Sequence, residues 1–395
     1  MNQPFHSKKY DLAHDTISRE DIDALIEWLK SYPRLTMGEL TKEFERVWSK
    51  WLGVKYSVFC NSGSSANLLM YAAMQSSGRA GHRRIIVPSV GWATTIAPAM
   101  QLGWDTFQCM CEADPVTYGL DLEHLKILLD TKNPGTVILV HVLGTPNNMT
   151  AIMELQRQEG FELLEDCCAA HGARHQGRLV GTFGAMSSFS FYYGHHISTI
   201  EGGMVSTNDE ELYHHLLMAR SHGWIKDLPV AEQDRVRAEQ GVDPFHAPFT
   251  FMVPGFNLRA TDLQAFIGLR QMERIDDVIA KRVVNHREYQ EQLRGCFGFA
   301  EGVPGDTISS ISFGALARDG EHRKRVVQVL VEHQIDTRLF SAGNLGRHPF
   351  WIDHNGEEHF GTADRIHDCG FFLPNNQSLT VGDIVHICDV VKGVS

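Results

Sequence analysis

Short apolar runs alternate with helix-patterned ones along the first half of the chain, and this alternation limits the fold more than any other feature. "YSVFC" reads as a strand and "SSANLLMYAAMQSSG" as a helix. "RRIIVPSV" is a strand, "WATTIAPAMQLG" a helix and "TVILVHVLG" a strand; "MTAIMELQRQEG" is a helix and "FELLED" a strand. Strands this short and uniformly apolar have no polar face, so both faces of their sheet must be covered. Intervening helices supply that cover, which predicts an α/β chain built on a mostly parallel sheet. Two amphipathic helices, "SREDIDALIEWLKS" and "GELTKEFERVWSKWLG", precede the alternation. A helical "NDEELYHHLLMARSHG" follows "EGGMVST", and a long helical segment from about Ala260 connects to a smaller C-terminal α+β part. The expected division is a large domain over residues 1–270 and a small one over 271–395.

Composition removes several function classes. Of 395 residues 43% are apolar and 21% charged, an ordinary globular balance. The net charge of −12 argues against nucleic acid or an anionic membrane as partner. "MNQPFHSKKYDLAHDT" lacks the apolar stretch of a secretory signal, and no run of about 18 apolar residues occurs, so a cytoplasmic protein is expected. The eight cysteines include "CMC" and "CC" but no paired CxxC knuckles, so reduced, mostly buried thiols and no metal site are expected.

Several residues could carry chemistry. In "CNSGSSANLL" a strand passes through Ser62, Gly63 and Ser64 into a helix. Its small residues and helix N-terminus suit a phosphate, or else form an ordinary serine cap. Glu165 and Asp166 stand at the carboxyl end of an apolar strand, where parallel sheets bind ligands. One of them could hold a protonated heterocyclic nitrogen, or Asp166 could cap the next helix. Trp92 could stack on a flat ring or join the core. Arg259, beside Asn257, could fork onto a carboxylate or phosphate or make a surface ion pair. His222 and Lys226 follow in "RSHGWIKD". The stretch "SFSFYYGHHISTIEGG" carries Ser190 and then two adjacent histidines, His195 and His196.

These landmarks, in this order, resemble the DegT/DnrJ/EryC1/StrS family of fold-type I pyridoxal phosphate enzymes. The matching stretches are "NSGSSANLL", "VPSVGWATT", "LGTPNN", "LLEDCCAAHGA", "GTFG", "SFSF", "EGGMVSTND", "RSHGW" and "PGFNLR". The resemblance runs from about Thr36 to the C-terminus. It implies an aspartate-aminotransferase-like fold, with a mostly parallel sheet of the seven-stranded type in the large domain. Most members hold their cofactor on a lysine six residues before the acidic residue of the "EGG" turn. Counting back from Glu201 reaches His195, and no lysine occurs between Asn133 and Ile225. Imidazole makes no stable imine with an aldehyde but shuttles protons near neutral pH.

A histidine at this place is the mark of the family's sugar 3-dehydratases. The resemblance therefore implies a non-covalently held pyridoxal 5'-phosphate or pyridoxamine 5'-phosphate and His195 as the catalytic base. The implied substrate is a nucleotide-linked 4-keto-6-deoxyhexose, with "STIEGG" favouring GDP-4-keto-6-deoxy-D-mannose over CDP- and dTDP-linked sugars. L-glutamate is the implied co-substrate, a homodimer with shared active sites the implied assembly, and colitose-type deoxysugar biosynthesis the implied setting. A sugar aminotransferase is the alternative, and a non-catalytic sugar-nucleotide-binding relative a more distant one. By the same resemblance Gly63, Ser64, Trp92, Asp166, Ser190 and Asn257 contact the cofactor. Thr36, Met37, Gly38, Glu39, His222, Lys226, Arg259 and Asp336 contact substrate or co-substrate. Three positions depart from that branch: Ala169 replaces Glu or Gln, Lys226 an arginine, and Asp336 a glutamate. His171 is the nearest candidate to stand in for the group missing at Ala169.

Overall fold

The computed structural model describes residues 8–394, so the opening residues of the N-terminal stretch discussed above lie outside it. Its centre is a seven-stranded sheet of β1 (Tyr56–Cys60), β2 (Ile85–Pro88), β3 (Met110–Cys111), β4 (Thr136–Val140), β5 (Glu162–Asp166), β8 (Met186–Ser190) and β9 (Gly203–Thr207). The strand order is β1-β9-β8-β5-β4-β2-β3, and β9 alone runs against the others. A two-residue hairpin, β6 (Arg174–His175) with β7 (Arg178–Leu179), lies between β5 and β8 in sequence.

Helices occupy the expected intervals. α1 (Arg19–Leu29) and α2 (Glu39–Leu52) lead in, followed by α3 (Gly63–Ser76), α4 (Ala93–Gln101), α5 (Leu122–Lys132), α6 (Met149–Glu159) and α7 (Glu210–Arg220). Ser18 caps α1 through a full capping box, and Gly53 closes α2 in the left-handed conformation, as the sequence signals require. β1, β4, β5, β8 and β9 are almost entirely buried, which explains their lack of polar alternation.

Two features differ from the sequence expectation. α8 (Val230–Gln240) is an added helix with no buried residue, so it carries no apolar stripe to betray it. The long connecting helix is two, α9 (Asp262–Met272) and α10 (Ile275–Leu293), and the anticipated limit at 270/271 falls inside α9. The C-terminal part contains α11 (Gly320–Glu332), α12 (Pro349–Asn355), α13 (Gly361–Cys369) and α14 (Val381–Lys392). They accompany an antiparallel pair, β10 (Ser312–Leu316) with β11 (Gly370–Pro374). Phe313, Leu373, Ile384 and Ile387 join Tyr289 of α10 in one apolar cluster there. Among the described residues no helix is long and apolar enough to cross a membrane. Six of the eight cysteines are buried, with Cys168 partly exposed and Cys296 exposed.

Candidate active site

The carboxyl ends of β1, β2, β4, β5 and β8 open into one cavity of about 630 Å³, which is also lined by Ile311 and Ser312 at the start of β10, by Arg338 and Ser341, and by Phe372 of β11. This is where a parallel sheet gathers side chains from separate strands. Gly63, Ser64, Trp92, Asp166, Ser190 and His195 all line it, so six of the predicted residues converge.

Ser62 caps α3 by accepting the Ser65 N–H at 3.0 Å, which leaves the Gly63 and Ser64 end of this helix turned to the cavity. The Ser64 hydroxyl meets that of Thr94, at the start of α4, at 2.9 Å. Two helix N-termini and two hydroxyls thus form an anion cradle. Its floor is tight: a Cβ on Gly63 would strike Ser190, and one on Gly203 would strike the Ser62 carbonyl. That close backbone approach accounts for the second glycine of "EGG".

Alternation along β5 separates the two carboxylates. Glu165 turns away and is fully used, accepting from the Gly181, Phe183 and Gly184 N–H groups at 2.7–2.8 Å and lying 3.1 Å from His141 Nε2. His141, Glu165 and Cys167 are close enough together to hold an ion, but this network already commits the carboxylate. Asp166 faces the cavity, accepting from Asn67 at 2.9 Å, the Thr95 hydroxyl at 2.6 Å and the Cys168 N–H at 3.0 Å. Trp92 remains 53% exposed at the cavity mouth and does not join the core.

His195 sits on the turn after β8, its N–H donating to the Tyr192 carbonyl at 2.9 Å. Its ring keeps a partly open face to the cavity, and Nδ1 is buried without a protein partner among the described residues. Burial, then the positive charges of Arg282 and Arg338, hold its pKa below the ordinary histidine value. Water reaching the open face softens the burial contribution, and the direction leaves a neutral imidazole at physiological pH.

His196 points the other way, fully buried, with Nε2 2.9 Å from the Ser309 hydroxyl. It is structural, so His196→Asn is expected to cost about 1–3 kcal/mol of stability while kcat stays within tenfold, measured by denaturant unfolding and turnover. His171 does not reach the cavity. It packs behind the pair, its ring 5.1 Å from His196 and 6.3 Å from His195, so it cannot replace the group missing at Ala169.

Burial holds His171, His196 and His286 below the ordinary value. The unfolded chain protonates them near pH 6.5, so between pH 6.5 and 5 it binds protons that the folded state refuses. Stability should fall through that window as pH drops, by up to about 1.4 kcal/mol per pH unit for each histidine. Denaturation midpoints measured from pH 7.5 to 5 check this, and a flat profile would contradict it.

The remaining predicted residues lie outside the cavity lining of the single chain. His222, Lys226 and Arg259 gather around Trp224, at 5.0, 5.3 and 5.6 Å, and Arg259 donates to Asn257 at 3.1 Å. Thr36 bridges to Thr261 beside them, the Gly38 N–H donates to Asp262 at 2.8 Å, and Met37 and Glu39 flank that turn. Asp336 lies 3.7 Å from Lys9. Two residues on, Arg338 does line the cavity, its guanidinium 5.9 Å from the Trp92 ring and 4.9 Å from that of Phe372. It has no acidic partner among the described residues, so its charge is available to an anion in the cavity. Sequence reading missed it because "IDTRLF" carries no motif around the arginine. Tyr192, Tyr193 and Asn67 also line the cavity; they lie inside quoted stretches, where the neighbouring serines and histidines drew the reading.

An anion cradle, a buried carboxylate and an exposed indole around one cavity fit the phosphate, ring nitrogen and flat ring of pyridoxal phosphate. Known proteins agree with that reading. A GDP-4-keto-6-deoxy-D-mannose 3-dehydratase of Yersinia pseudotuberculosis is 32% identical over 393 residues, covering 97% of this chain and 98% of that protein. A crystal structure of GDP-4-keto-6-deoxymannose-3-dehydratase with a trapped PLP-glutamate geminal diamine superposes with a TM-score of 0.87 at 31% identity, covering 97% of this chain and all of that one. A mutant of such a dehydratase with bound GDP-perosamine gives the same TM-score at 30% identity and the same coverage. The sequence profile of one family matches residues 15–392. On its landmarks, its fold and that match, the chain belongs to the DegT/DnrJ/EryC1/StrS aminotransferase family.

Proposed function

We propose that this protein is a pyridoxamine phosphate-dependent sugar 3-dehydratase. It removes the C3 hydroxyl of a nucleotide-linked 4-keto-6-deoxyhexose, with GDP-4-keto-6-deoxy-D-mannose as substrate and L-glutamate as co-substrate. The observation that carries the reading is His195: an imidazole lines the cavity, and among the described residues no lysine does. The likeness to the named dehydratases, above 30% over nearly the whole chain, supports the substrate class.

When bound, the cofactor supplies an amine for the C4 ketone and a ring that accepts electrons while the C3 bond breaks. The chain supplies the rest. The cradle at Gly63, Ser64 and Thr94, with Ser190 at its floor, would hold the phosphate, Trp92 would cover the ring, and Asp166 would keep a proton on the ring nitrogen. Neutral His195 takes a proton from the carbon bearing the amine and returns one to the departing C3 oxygen. The oxygen leaves as water. Glutamate restores the amine and departs as 2-oxoglutarate, and that nitrogen ends as ammonia. Lysine would offer a competing amine at the same carbon, and its replacement by imidazole favours elimination over nitrogen transfer. Incubation with GDP-4-keto-6-deoxymannose and glutamate should release ammonia and 2-oxoglutarate in equal amounts and yield a sugar nucleotide lacking one oxygen. An amino-sugar product would instead establish a transferase.

Two copies complete the site. The cluster of His222, Lys226, Asn257 and Arg259 is presented outside its own cavity, beside exposed Phe245, Phe249 and Phe251, an apolar surface suited to a second copy. In the homodimer each copy lends this basic cluster to the other's cavity, where glutamate and the nucleotide require cations. Inactive His195→Asn and Arg259→Ala chains, mixed after dissociation, should then recover up to about a quarter of normal activity, since half the dimers hold one intact site. No recovery would place both residues in one chain's site. A cytoplasmic location follows from the same reading, since sugar nucleotides and glutamate are cytoplasmic metabolites.

A further inference from the structure

α10 buries a stripe made of Ile275, Val278, Arg282, Asn285, His286, Tyr289 and Leu293. Arg282 therefore stands where helical spacing calls for an apolar residue, and it is 1% exposed. Its guanidinium has no carboxylate partner among the described residues. It donates instead to four neutral oxygens: the Ile311 carbonyl at 2.9 Å, the Asn375 carbonyl, the His195 carbonyl at 3.2 Å and Gln377 Oε1 at 3.3 Å. Asn375 returns a bond from its amide to the Arg282 carbonyl at 3.1 Å, fixing the helix to the same segment. A buried cation without a counter-ion is costly, and methionine would fill the space without that cost. What the arginine provides is reach: one rigid fork joins α10 and the residues flanking β10 and β11 to the backbone of His195 itself.

We infer that Arg282 is a positioning residue for the reaction, its fork fixing the His195 segment and holding a positive charge against it. The inference rests on His195 being the base. Other titratable groups face the same segment: His171 behind it, His196 and Tyr192 beside it, and Arg338 across the cavity. Asp166 and Glu201 line the cavity with them. Tyr192 accepts the His195 N–H through its own backbone carbonyl, and among the described residues Arg282 is the charged side chain that bonds to the His195 backbone. After burial itself, its charge is the largest influence lowering the imidazole pKa, ahead of that of Arg338.

The test uses the holoenzyme with isotope-labelled histidine, His195 being assigned by the signal lost in His195→Asn. Gln377 is partly exposed, and Gln377→Glu would set a carboxylate against the guanidinium while sparing its bonds to the carbonyls. The pH titration of the His195 signal should have its midpoint about one pH unit higher in Gln377→Glu than in the parent, and the acid limb of kcat/KM should rise with it. Arg282→Met should raise that limb at least as far and lower the plateau rate. Arg282→Lys keeps the charge but not the fork, so its limb should stay in place while the plateau falls about tenfold. A purely structural arginine would lower thermal stability with the limb unmoved. If Arg282→Met does not fold, Gln377→Glu decides alone, and an unchanged His195 signal and limb in it would overturn the inference. Absence of dehydration by the parent enzyme would instead overturn the proposed function, because the resonance measurement needs no turnover.

Discussion

Lysine in place of His195 is expected to bind the cofactor covalently and to lower the rate of C3 dehydration by at least about a thousandfold. The size follows from losing a positioned general base, worth roughly 10² to 10⁴, together with the new competition from an amine at the reacting carbon. His195 lines the cavity with a partly open face, so a longer side chain there extends into the cavity and need not displace the core. The His195 N–H bond to Tyr192 and the Arg282 bond to its carbonyl are backbone interactions, so the substitution leaves them intact. Borohydride treatment followed by mass analysis of the chain reads the covalent link, and product analysis reads the dehydration. Dehydration at the parental rate would show that His195 is not the base.

Asp166→Asn is expected to have an effect of similar size by another route. The carboxylate is 4% exposed and fixed by Asn67, Thr95 and the Cys168 N–H, so it cannot turn toward water. With the cofactor bound it becomes half of a buried charge pair, and breaking such a pair costs about 3–5 kcal/mol. Cofactor affinity should fall by hundreds- to several thousand-fold, measured by equilibrium dialysis. The apo-protein should also lose about 1–3 kcal/mol, because an amide has one acceptor oxygen and leaves at least one of the three buried donors unpaired. The thermal stabilisation that added cofactor gives the parent should vanish in the variant. A variant that binds the cofactor normally would remove Asp166 from the ring nitrogen.

The elements that the sequence revealed are those whose pattern is local. β4 is a threonine followed by an unbroken apolar run, β5 holds an apolar pair between acidic ends, and the caps of α1, α2 and α3 are each written within four residues of the helix end. Asp166 was legible as a strand-end carboxylate, although only the pleat of β5 shows that Asp166, and not Glu165, faces the cavity. What was illegible depends on distant pairing. α8 buries nothing and so leaves no periodic trace. Arg338 and Arg282 acquire their significance from Trp92, Phe372 and the His195 backbone, which folding alone brings near. The cluster around Trp224 was named by family likeness, and a single chain leaves it outside the cavity, where the proposed second copy would use it.

In the proposed reaction this cavity holds its cofactor without any bond to the chain, leaving His195 free to move protons. Borohydride reduction of the unmodified holoenzyme, followed by mass measurement of the intact chain, tests it directly. The chain mass should be unchanged and the cofactor removable by dialysis. A chain heavier by the reduced cofactor, with the added mass mapped to any amine of the protein, would contradict it.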